Sequence, residues 1–283
     1  MDYSELQIKS VEYRREILNI IKHANAGHTG GSLSCIDILN VLYNRVLNIS
    51  PENKADPNRD RYIHSKGHSV EALYVVLTDR GFLSSNQLYT LEQYQSDLIG
   101  HPTKKVPGIE QNTGALGHGL SVAVGMAIAA KIDKRPFRVY TMMGDGELTE
   151  GSNWEAAMSA SHYQLDNLTA IIDRNGLQIT GLTENVMQLE PLAERFKSFG
   201  FSTRIVDGHD FDALIDVFNQ LPFERGKPNL IIAQTIKGKG ISFIENQVSW
   251  HHRVPNQIEF ASALQELSLA EECLRNGAKS VSF

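Results

Sequence analysis

Residues 138–176 read "RVYTMMGDGELTEGSNWEAAMSASHYQLDNLTAIIDRNG", and this stretch decides the fold. It contains two short apolar runs, 138–144 and 167–175, which are separated by a segment with helical patterning at 151–164. Short strands that are apolar on both faces are typical of a parallel sheet covered by helices. We therefore predict a strand–helix–strand unit in which the two strands lie parallel.

The same alternation of strands and helices extends along the chain. Amphipathic helices are predicted at 5–24 and 32–47, the second with Ser32 or Ser34 as its N-cap. A helix, a strand, a helix and a strand are then predicted at 189–199, 201–207, 210–220 and 229–235. A closing helix at about 256–276, ended by Gly277, completes the pattern. These elements predict one domain over residues 1–283, with a three-layer α/β/α fold and a mainly parallel sheet.

Composition narrows the class of protein. The 283 residues carry a net charge of −6, which argues against nucleic acid or an anionic membrane as the main partner. The two cysteines, Cys35 and Cys273, lie far apart, which fits a reducing compartment and excludes a disulfide framework. The sequence begins without the apolar stretch of a signal peptide, and no apolar segment is long enough to span a bilayer. We expect a cytoplasmic protein.

Polar residues follow two of the predicted strands at the point where each strand ends. Asp145 comes directly after the first apolar run, and Asn175 ends the second. Carboxyl ends of neighbouring parallel strands meet at one edge of a sheet, so these two side chains are expected to lie close together. Carboxylate, amide and carbonyl oxygens suit Mg²⁺ or Ca²⁺, and Gly146 lets a phosphate approach the backbone. A simple turn in which Asp145 caps the following helix is an open alternative.

Several of the ten histidines directly follow a glycine, namely His28, His68, His101, His118 and His209. A Gly–His step in a loop gives a ligand close access to the backbone beside a group that exchanges protons near neutral pH. Each histidine taken alone is by default a structural residue, but this repetition favours a functional role for some of them. A zinc site at His64 and His68 is a weaker alternative, because no third ligand has a recognisable spacing.

Two glycine-containing segments complete the candidate site. "TGALGHGLSVAVGMAIAAK", residues 113–131, places a Gly-rich loop before a helix of small residues. A ligand-binding loop and a tightly packed core helix both fit that pattern. "TIKGKGISFIENQVSWHHRVP", residues 235–255, places Lys237 and Lys239 just after a predicted strand. These lysines are either point charges for a diphosphate or part of a solvated loop.

Together these segments resemble the N-terminal, diphosphate-binding domain of transketolase. The central match is "GDGELTEGSNWEAAMSASHYQLDNLTAIIDRNGLQITG", which is similar to the thiamine diphosphate motif of that family. Further matches occur in the family order at "GHTGGSLSCIDIL", "HSKGHSVEALY", "GHPTKKVPGIEQNTGALGHGLSVAVGMA" and "IKGKGISFIENQVSWHHRVP". The resemblance covers about residues 10 to 255.

The resemblance implies a role for each matching residue. Mg²⁺, with Ca²⁺ or Mn²⁺ as substitutes, would be held by Asp145, the Asn175 side chain and the Leu177 carbonyl. The diphosphate of thiamine diphosphate would be lined by Gly146, Asn175, His68, Lys237 and His251. The backbone of Gly114 and Leu116 would contact the rest of the cofactor. The catalytic group would comprise His28 and His101 at the sugar hydroxyls, His251 as a proton-transfer residue, and Glu150, which links the two cofactor sites of a dimer.

The resemblance also implies an activity and a partner. Transketolases transfer a two-carbon glycolaldehyde unit from a ketose to an aldose, and sugar phosphates are the default substrates. Family members continue with a pyrimidine-binding domain and a C-terminal domain, neither of which occurs in this sequence. We therefore expect the N-terminal subunit of a split transketolase, with the pyrimidine-binding domain on a separate chain in an α₂β₂ assembly. Pentose phosphates, branched sugars and sulfonated sugars all stay open.

Three residues depart from the usual family pattern. Thr29 replaces proline in "GHTGG", His118 replaces glutamine in "LGHG", and His252 replaces glycine beside His251.

Two alternative functions remain. The first is the α-subunit of a 2-oxo acid dehydrogenase, which also has a GDG…N motif. The second is a non-catalytic binding protein of the same fold.

Overall fold

A computed structural model of the chain describes residues 3–277. Its centre is a parallel sheet of five strands in the order β1-β2-β3-β7-β6. The strands of this sheet are β1 Arg61–His64, β2 Val139–Gly144, β3 Leu168–Arg174, β6 Ser202–Asp207 and β7 Asn229–Gln234. Two short antiparallel strands, β4 Leu177–Gln178 and β5 Gly181–Leu182, form a separate hairpin just after β3.

Helices occupy most of the remaining chain. The long helices are α1 Tyr3–Ala24, α2 Thr29–Val41, α3 Val70–Asp79, α5 Gly119–Ile132, α6 Gly151–His162, α9 Phe211–Asn219 and α10 Gln257–Arg275. The short ones are α4 Ser85–Leu88, α7 Thr183–Val186 and α8 Leu192–Ser198. A wider π-helical turn, Leu42–Val46, extends α2, and single 3₁₀ turns occur at Gly67–Ser69, Gly146–Thr149 and Val248–Trp250. Within the described residues, no helix has both the length and the apolar character needed to cross a bilayer.

Two apolar cores lie on opposite faces of the sheet. Alternate strand residues such as Met142 and Ile171 pack with helices α1, α2, α3, α9 and α10 on one face. Their sequence neighbours Met143 and Ile172 pack with α5, α6 and α8 on the other face. Because successive side chains of a strand point to opposite faces, strands buried on both sides are mostly apolar. The predicted three-layer α/β/α fold with a mainly parallel sheet is confirmed.

Most predicted elements appear close to their expected positions. The four predicted strands are present, and the closing helix α10 begins at a capping box in which Asn256 and Glu259 bond each other's backbone. The prediction that Ser32 or Ser34 caps the second helix is wrong, because α2 already begins at Thr29. Its first turn is stabilised by Glu71 of α3, which accepts hydrogen bonds from the His28 amide at 2.9 Å and the Ser32 hydroxyl at 2.7 Å.

Strand β1 was not predicted. It has only four residues, and it begins at Arg61 directly after the charged stretch that ends in Asp60. Its pairing with β2, in the register Arg61↔Val139 to His64↔Met142, gives it strand geometry. The pairing places the segment from Ser65 to His68 at the same sheet edge as Asp145. The pairing therefore brings His68 close to the other candidate residues.

Candidate active site

All of the predicted site residues line one cleft of about 480 Å³ at the carboxyl ends of the parallel strands. From the predicted catalytic set these are His28, His101, His251 and Glu150. From the predicted cofactor and metal sets they are His68, Gly114, Leu116, Asp145, Gly146, Asn175, Leu177 and Lys237. The remaining wall includes Lys66, Glu147 and Gln178, which sequence reasoning did not identify. An open α/β sheet is expected to bind ligands at this edge.

Asp145 is buried at the tip of β2, where its two oxygens have different partners. Oδ1 accepts the Gly146 amide at 2.8 Å, so the side chain does cap the short turn that follows. Oδ2 accepts the Gly176 amide at 2.6 Å and the guanidinium of Arg174 at 3.1 Å. Burial raises the pKa of this carboxyl, and repulsion from Asp173 raises it further. A cation placed beside Asp145 would therefore relieve an unfavourable charge.

Asn175 and Leu177 bring two more oxygen donors to the same place. The Asn175 Oδ1 accepts the Leu177 amide at 3.1 Å, while its Nδ2 donates to Asp173 at 3.2 Å. The Leu177 carbonyl accepts a hydrogen bond from the Lys237 ammonium at 3.3 Å. Carboxylate, amide and carbonyl oxygens form the hard donor set that Mg²⁺ and Ca²⁺ prefer. The residues present thus fit a divalent cation.

Gln178 lies close to the backbone beside these donors. A side chain at Gly146 would place its Cβ 3.1 Å from the Cβ of Gln178, so glycine permits this close approach. Two polar atoms at this cleft, Gln178 Oε1 and His28 Nδ1, are buried without a hydrogen-bond partner in the described part of the chain. Buried polar atoms normally have partners, which indicates that a ligand or water satisfies these two.

Lys237 supplies positive charge at the floor of the cleft. It is 1% exposed, and its ammonium lies 2.9 Å from His251 Nδ1. Burial and the nearby Lys66 lower the pKa of Lys237 from its ordinary value to about 8. An anion bound here would stabilise the charged form of Lys237. Lys239 instead pairs with Glu245 at 3.2 Å and does not line the cleft.

Histidine rings cluster on the other wall. The His28 ring lies 5.3 Å from His68, 5.7 Å from His251, 6.2 Å from His101 and 4.5 Å from His252, measured between centroids. Burial, with repulsion from neighbouring imidazoles and lysines, lowers the pKa of His28 and His251 to about 3. The pKa of His68 and His101 is also lowered, mainly by burial. These rings are therefore neutral near pH 7, and a neutral imidazole has one nitrogen that accepts a hydrogen bond.

A buried ion pair lies beneath the cleft. Lys66 pairs with Asp173, and the side chains are 2% and 0% exposed. Lys66 also donates to the carbonyl of Gly31 at 2.7 Å, which joins the "GHTGG" loop to the sheet. A signal for Asp173 was present in the sequence, because a charged residue inside an apolar strand needs a partner when buried. The partner, Lys66, has no local signal, since it reaches Asp173 only through the fold.

The Gly-rich loop before α5 is fixed by Glu147. This buried carboxylate accepts the Gly117 amide at 2.9 Å, the Gly144 amide at 3.0 Å and the Ser65 hydroxyl. Gly114 has φ +120°, and a Cβ there would come within 2.3 Å of the His101 ring. Glycine is thus required at this position for two reasons, backbone conformation and contact. Glu150 is exposed at the start of α6, at the rim of the same cleft.

The remaining Gly–His steps lie outside the cleft. His118 is exposed, and its Nδ1 bonds the carbonyls of Ala115 and Leu116. His209 bonds Asp37 and the Ile236 amide beneath α2. Both nitrogens of His64 have protein partners, Tyr62 and Ser69, which disfavours the zinc alternative. Among residues 3–277, no group of three or more His, Cys, Asp or Glu side chains is placed to hold a metal ion.

Comparison with known proteins decides the family. Residues 7–270 match the family model described as "Transketolase, thiamine diphosphate binding domain". The chain belongs to the transketolase family. It is 47% identical to an apulose-4-phosphate transketolase subunit of Phocaeicola vulgatus, over 95% of each protein. It is 40% identical to a 6-deoxy-6-sulfo-D-fructose transketolase subunit of Clostridium sp., over 93% of this chain and 96% of that protein.

Solved structures give the same result. The transketolase of Leishmania mexicana superposes with a TM-score of 0.83 and 25% identity, covering 98% of this chain and 46% of that one. A transketolase variant of Pichia stipitis gives a TM-score of 0.87 and 27% identity, covering 98% of this chain and 42% of that one. The chain therefore spans about half the length of the transketolases of known structure that it matches. The family resemblance drawn from the sequence is confirmed.

Proposed function

We propose that this chain is the diphosphate-binding subunit of a split transketolase that transfers a two-carbon ketol unit between sugars. The observation that carries the proposal is the single cleft that gathers oxygen donors, lysine ammonium groups and neutral imidazoles. The match to a thiamine diphosphate binding domain and the names of the relatives, which are transketolase subunits, support it. The proposal treats residues 1–283 as one diphosphate-binding domain.

The metal and the diphosphate occupy the deep end of the cleft in this proposal. Asp145, Asn175 and Leu177 hold Mg²⁺, or Ca²⁺ or Mn²⁺ in its place, through their carboxylate, amide and carbonyl oxygens. Gly146 and Lys237 would line the diphosphate, and Lys237 would supply a charge-assisted contact. His68 and His251 line the same part of the cleft. Gly114 and Leu116 contact the rest of the cofactor through their backbone.

In this proposal the imidazoles take part in proton transfer at the sugar hydroxyls. When bound, thiamine diphosphate supplies the carbon nucleophile that retains two carbons of a ketose while the remainder leaves as an aldose. His28 and His101 face the sugar hydroxyls, and His251 assists proton transfer. Their lowered pKa values keep them neutral at pH 7, so each can accept a hydrogen bond from a sugar hydroxyl. Glu150, exposed at the rim, links the two cofactor sites across the dimer.

A second chain completes the site in this proposal. Apolar side chains lie exposed at the hairpin and helix beside the cleft, at Ile179, Leu182, Val186 and Met187. Ile179 is 69% exposed and itself lines the cleft, so the patch continues to the cleft mouth. Contiguous exposed apolar side chains mark protein interfaces. We propose that a partner chain with a pyrimidine-binding domain covers them, in an α₂β₂ assembly.

The substrates are sugar phosphates in this proposal. Relatives matched over nearly their whole length are named for apulose-4-phosphate and for a sulfonated fructose. Residues that recognise the phosphate or sulfonate end are assigned to the partner chain. The present chain supplies the histidines that meet the hydroxyls near the reacting carbon.

The proposal is tested with the complex that co-purifies with this chain. Calorimetry with Mg²⁺ and thiamine diphosphate should show binding, and Asp145→Asn should weaken it at least tenfold by removing the negative charge of a metal ligand. Asp133→Asn, at an exposed ion pair, is the matched control. The complex should transfer glycolaldehyde from a ketose phosphate, and this chain alone should not.

Three results would contradict the proposal. Full transfer by this chain alone would exclude the need for a partner. Decarboxylation of a 2-oxo acid in place of transfer would favour the dehydrogenase. No cofactor binding by the complex would favour a non-catalytic protein.

A further inference from the structure

Outside the cleft, three polar side chains from distant segments form a continuous hydrogen-bonded chain. The guanidinium of Arg14 in α1 donates to both oxygens of Asp37 in α2, at 2.8 Å and 2.6 Å. His209, between β6 and α9, places its Nδ1 2.7 Å from the same Asp37 Oδ2. Arg14 and Asp37 are 5% and 3% exposed. Burial alone would raise the pKa of Asp37, but Arg14 and His209 outweigh it and hold that pKa below its ordinary range.

Hydrogen bonding determines which nitrogen of His209 carries the proton. The Ile236 amide donates to His209 Nε2 at 2.8 Å, so Nε2 is the acceptor. Asp37 is a charged acceptor, so Nδ1 must be the donor toward it. The imidazole therefore bridges a buried carboxylate and one backbone amide, with a separate nitrogen for each. Any replacement that keeps only one nitrogen loses one of the two contacts.

Both ends of this chain reach the loop that carries Lys237. His209 holds the amide of Ile236, one residue before Lys237. Arg14 Nε donates to the carbonyl of Lys239 at 2.8 Å, two residues after it. Gly240 permits this approach, because a Cβ there would lie 2.8 Å from Arg14 Cδ. The loop is thus held on both sides of the lysine, by side chains that do not line the cleft.

Lys237 is the residue of this loop that faces the cleft. Its ammonium reaches the Leu177 carbonyl at 3.3 Å and His251 Nδ1 at 2.9 Å. Gly238, with φ +82°, donates from its amide to the carbonyl of Gly30 in the "GHTGG" segment at 2.9 Å. A shift of the backbone at Ile236 or Lys239 would move the ammonium relative to both of its partners.

We propose that Arg14, Asp37 and His209 are positioning residues that set the place of the Lys237 ammonium in the cofactor cleft. This inference rests on the proposed function, in which Lys237 contacts the diphosphate. The three side chains act through Lys237 and touch neither cofactor nor substrate. Their contribution is therefore to cofactor affinity, through the order of residues 236–239, in addition to any contribution to folding.

Two matched substitutions at His209 separate its two contacts. His209→Gln can present an oxygen near the place of Nε2 and so keep an acceptor for the Ile236 amide. His209→Asn can present an amide near the place of Nδ1, which keeps the Asp37 contact and loses the Ile236 contact. We expect His209→Asn to weaken binding of Mg²⁺–thiamine diphosphate to the co-purified complex by about five- to tenfold, the worth of one buried hydrogen bond. His209→Gln should stay within about twofold of the unsubstituted complex.

A double substitution shows whether the effect of His209→Asn on cofactor affinity depends on Lys237. In Lys237→Met the ammonium is absent, so His209→Asn should cause no further loss of affinity in that background. Hydrogen exchange on the full chain gives a readout without cofactor. The amides of residues 236–239 should exchange faster in His209→Asn than in His209→Gln, while the exchange of β3 is unchanged.

The outcomes separate the inference from the proposed function. Equal affinity for both His209 variants and the unsubstituted complex overturns the inference. So does an equal loss with Lys237 present or replaced by Met, which would indicate a general structural role. An unsubstituted complex that does not bind the cofactor contradicts the proposed function instead. In that case unchanged exchange at residues 236–239 in His209→Asn overturns the inference as well. Faster exchange supports the role of His209 in ordering residues 236–239.

Discussion

Asn175 donates from its Nδ2 to Asp173 Oδ2 at 3.2 Å, so the side-chain amide at the cleft is oriented by a carboxylate inside the sheet. The same Asp173 oxygen accepts the ammonium of Lys66. The Ser34 hydroxyl donates to this oxygen as well, and the Thr235 hydroxyl donates to Asp173 Oδ1. The buried carboxylate therefore determines the direction of the Asn175 oxygen and compensates a buried lysine at the same time.

Replacement of this carboxylate should be strongly destabilising. Asp173→Asn leaves the Lys66 ammonium buried without a counter-charge, which typically costs about 3–5 kcal/mol in the free energy of unfolding. Chemical denaturation measures the loss. The same substitution at Asp133, in an exposed pair with Arg135, should change stability by less than about 0.5 kcal/mol. A denaturation midpoint for Asp173→Asn equal to that of the unsubstituted chain would contradict this expectation.

The neutral histidines should make stability depend on pH. The pKa of His28 is about 3 in the folded chain, because of burial, against an ordinary value of 6.5. Between these values the unfolded chain binds a proton that the folded chain does not, so the free energy of unfolding falls as pH falls. His28→Asn should remove up to about 1.4 kcal/mol per pH unit of that slope. The slope is measured by denaturation from about pH 6.5 down to pH 4.5, the upper part of this window.

The control for this slope is His162→Asn, at an exposed position near the end of α6. We expect its slope to match that of the unsubstituted chain. If His28→Asn also leaves the slope unchanged, the pKa of His28 is not lowered in the folded chain, and the effect of burial on this histidine is contradicted.

Two glycines allow a matched test of the Gly-rich loop. Gly114→Ala introduces a Cβ at positive φ and against His101, which should cost about 1–3 kcal/mol and displace that ring. Gly125→Ala lies in α5, and its Cβ would meet nothing within 4 Å. It should stabilise the chain by about 0.5–1 kcal/mol through helix propensity. Thermal unfolding of both variants tests the pair, and equal shifts in Tm would be incompatible with a conformational need for Gly114.

The apolar patch beside the cleft should govern assembly. Met187 is 60% exposed, and Met187→Lys places a charge on the surface assigned to the partner chain. Association with the co-purifying chain should weaken at least tenfold, as measured by sedimentation, because a buried unpaired charge is costly. Ile258→Lys, at an 82% exposed position of α10, is the control. Equal association of the two variants would place the interface elsewhere.

Local patterns were sufficient to predict most of the fold. The apolar runs that became β2, β3 and β7 are almost entirely buried, and such runs are visible in a single sequence. Strand β6 was also predicted, although it lies at the edge of the sheet and is exposed over much of its length. Strand β1 was missed because its four residues become a strand through pairing with β2. The N-cap at Ser32 or Ser34 was predicted wrongly because the stabilising carboxylate, Glu71, comes from another helix.

In the candidate site, too, the residues marked by local sequence patterns were predicted and those that depend on distant contacts were missed. Asp145, Asn175 and the cleft histidines were found because motifs and strand ends mark them in the sequence. Lys66 and Glu147 were missed, although both are buried at the cleft. Their partners, Asp173 for Lys66 and Ser65 and Gly117 for Glu147, lie far away along the chain. A buried charge needs an opposite charge or hydrogen-bonding groups beside it. When those partners come from distant segments, they cannot be identified from the sequence before the fold is known.

The contact between the rings of His28 and His251, 5.7 Å apart, joins the first loop of the chain to one of the last. The Gly238 amide likewise closes onto the carbonyl of Gly30. During synthesis, therefore, His28 cannot meet His251 until nearly the whole described chain has been made. Helices and individual strand pairs can form earlier, since their contacts are more local. The cleft is thus among the last features of the described residues to assemble on the ribosome.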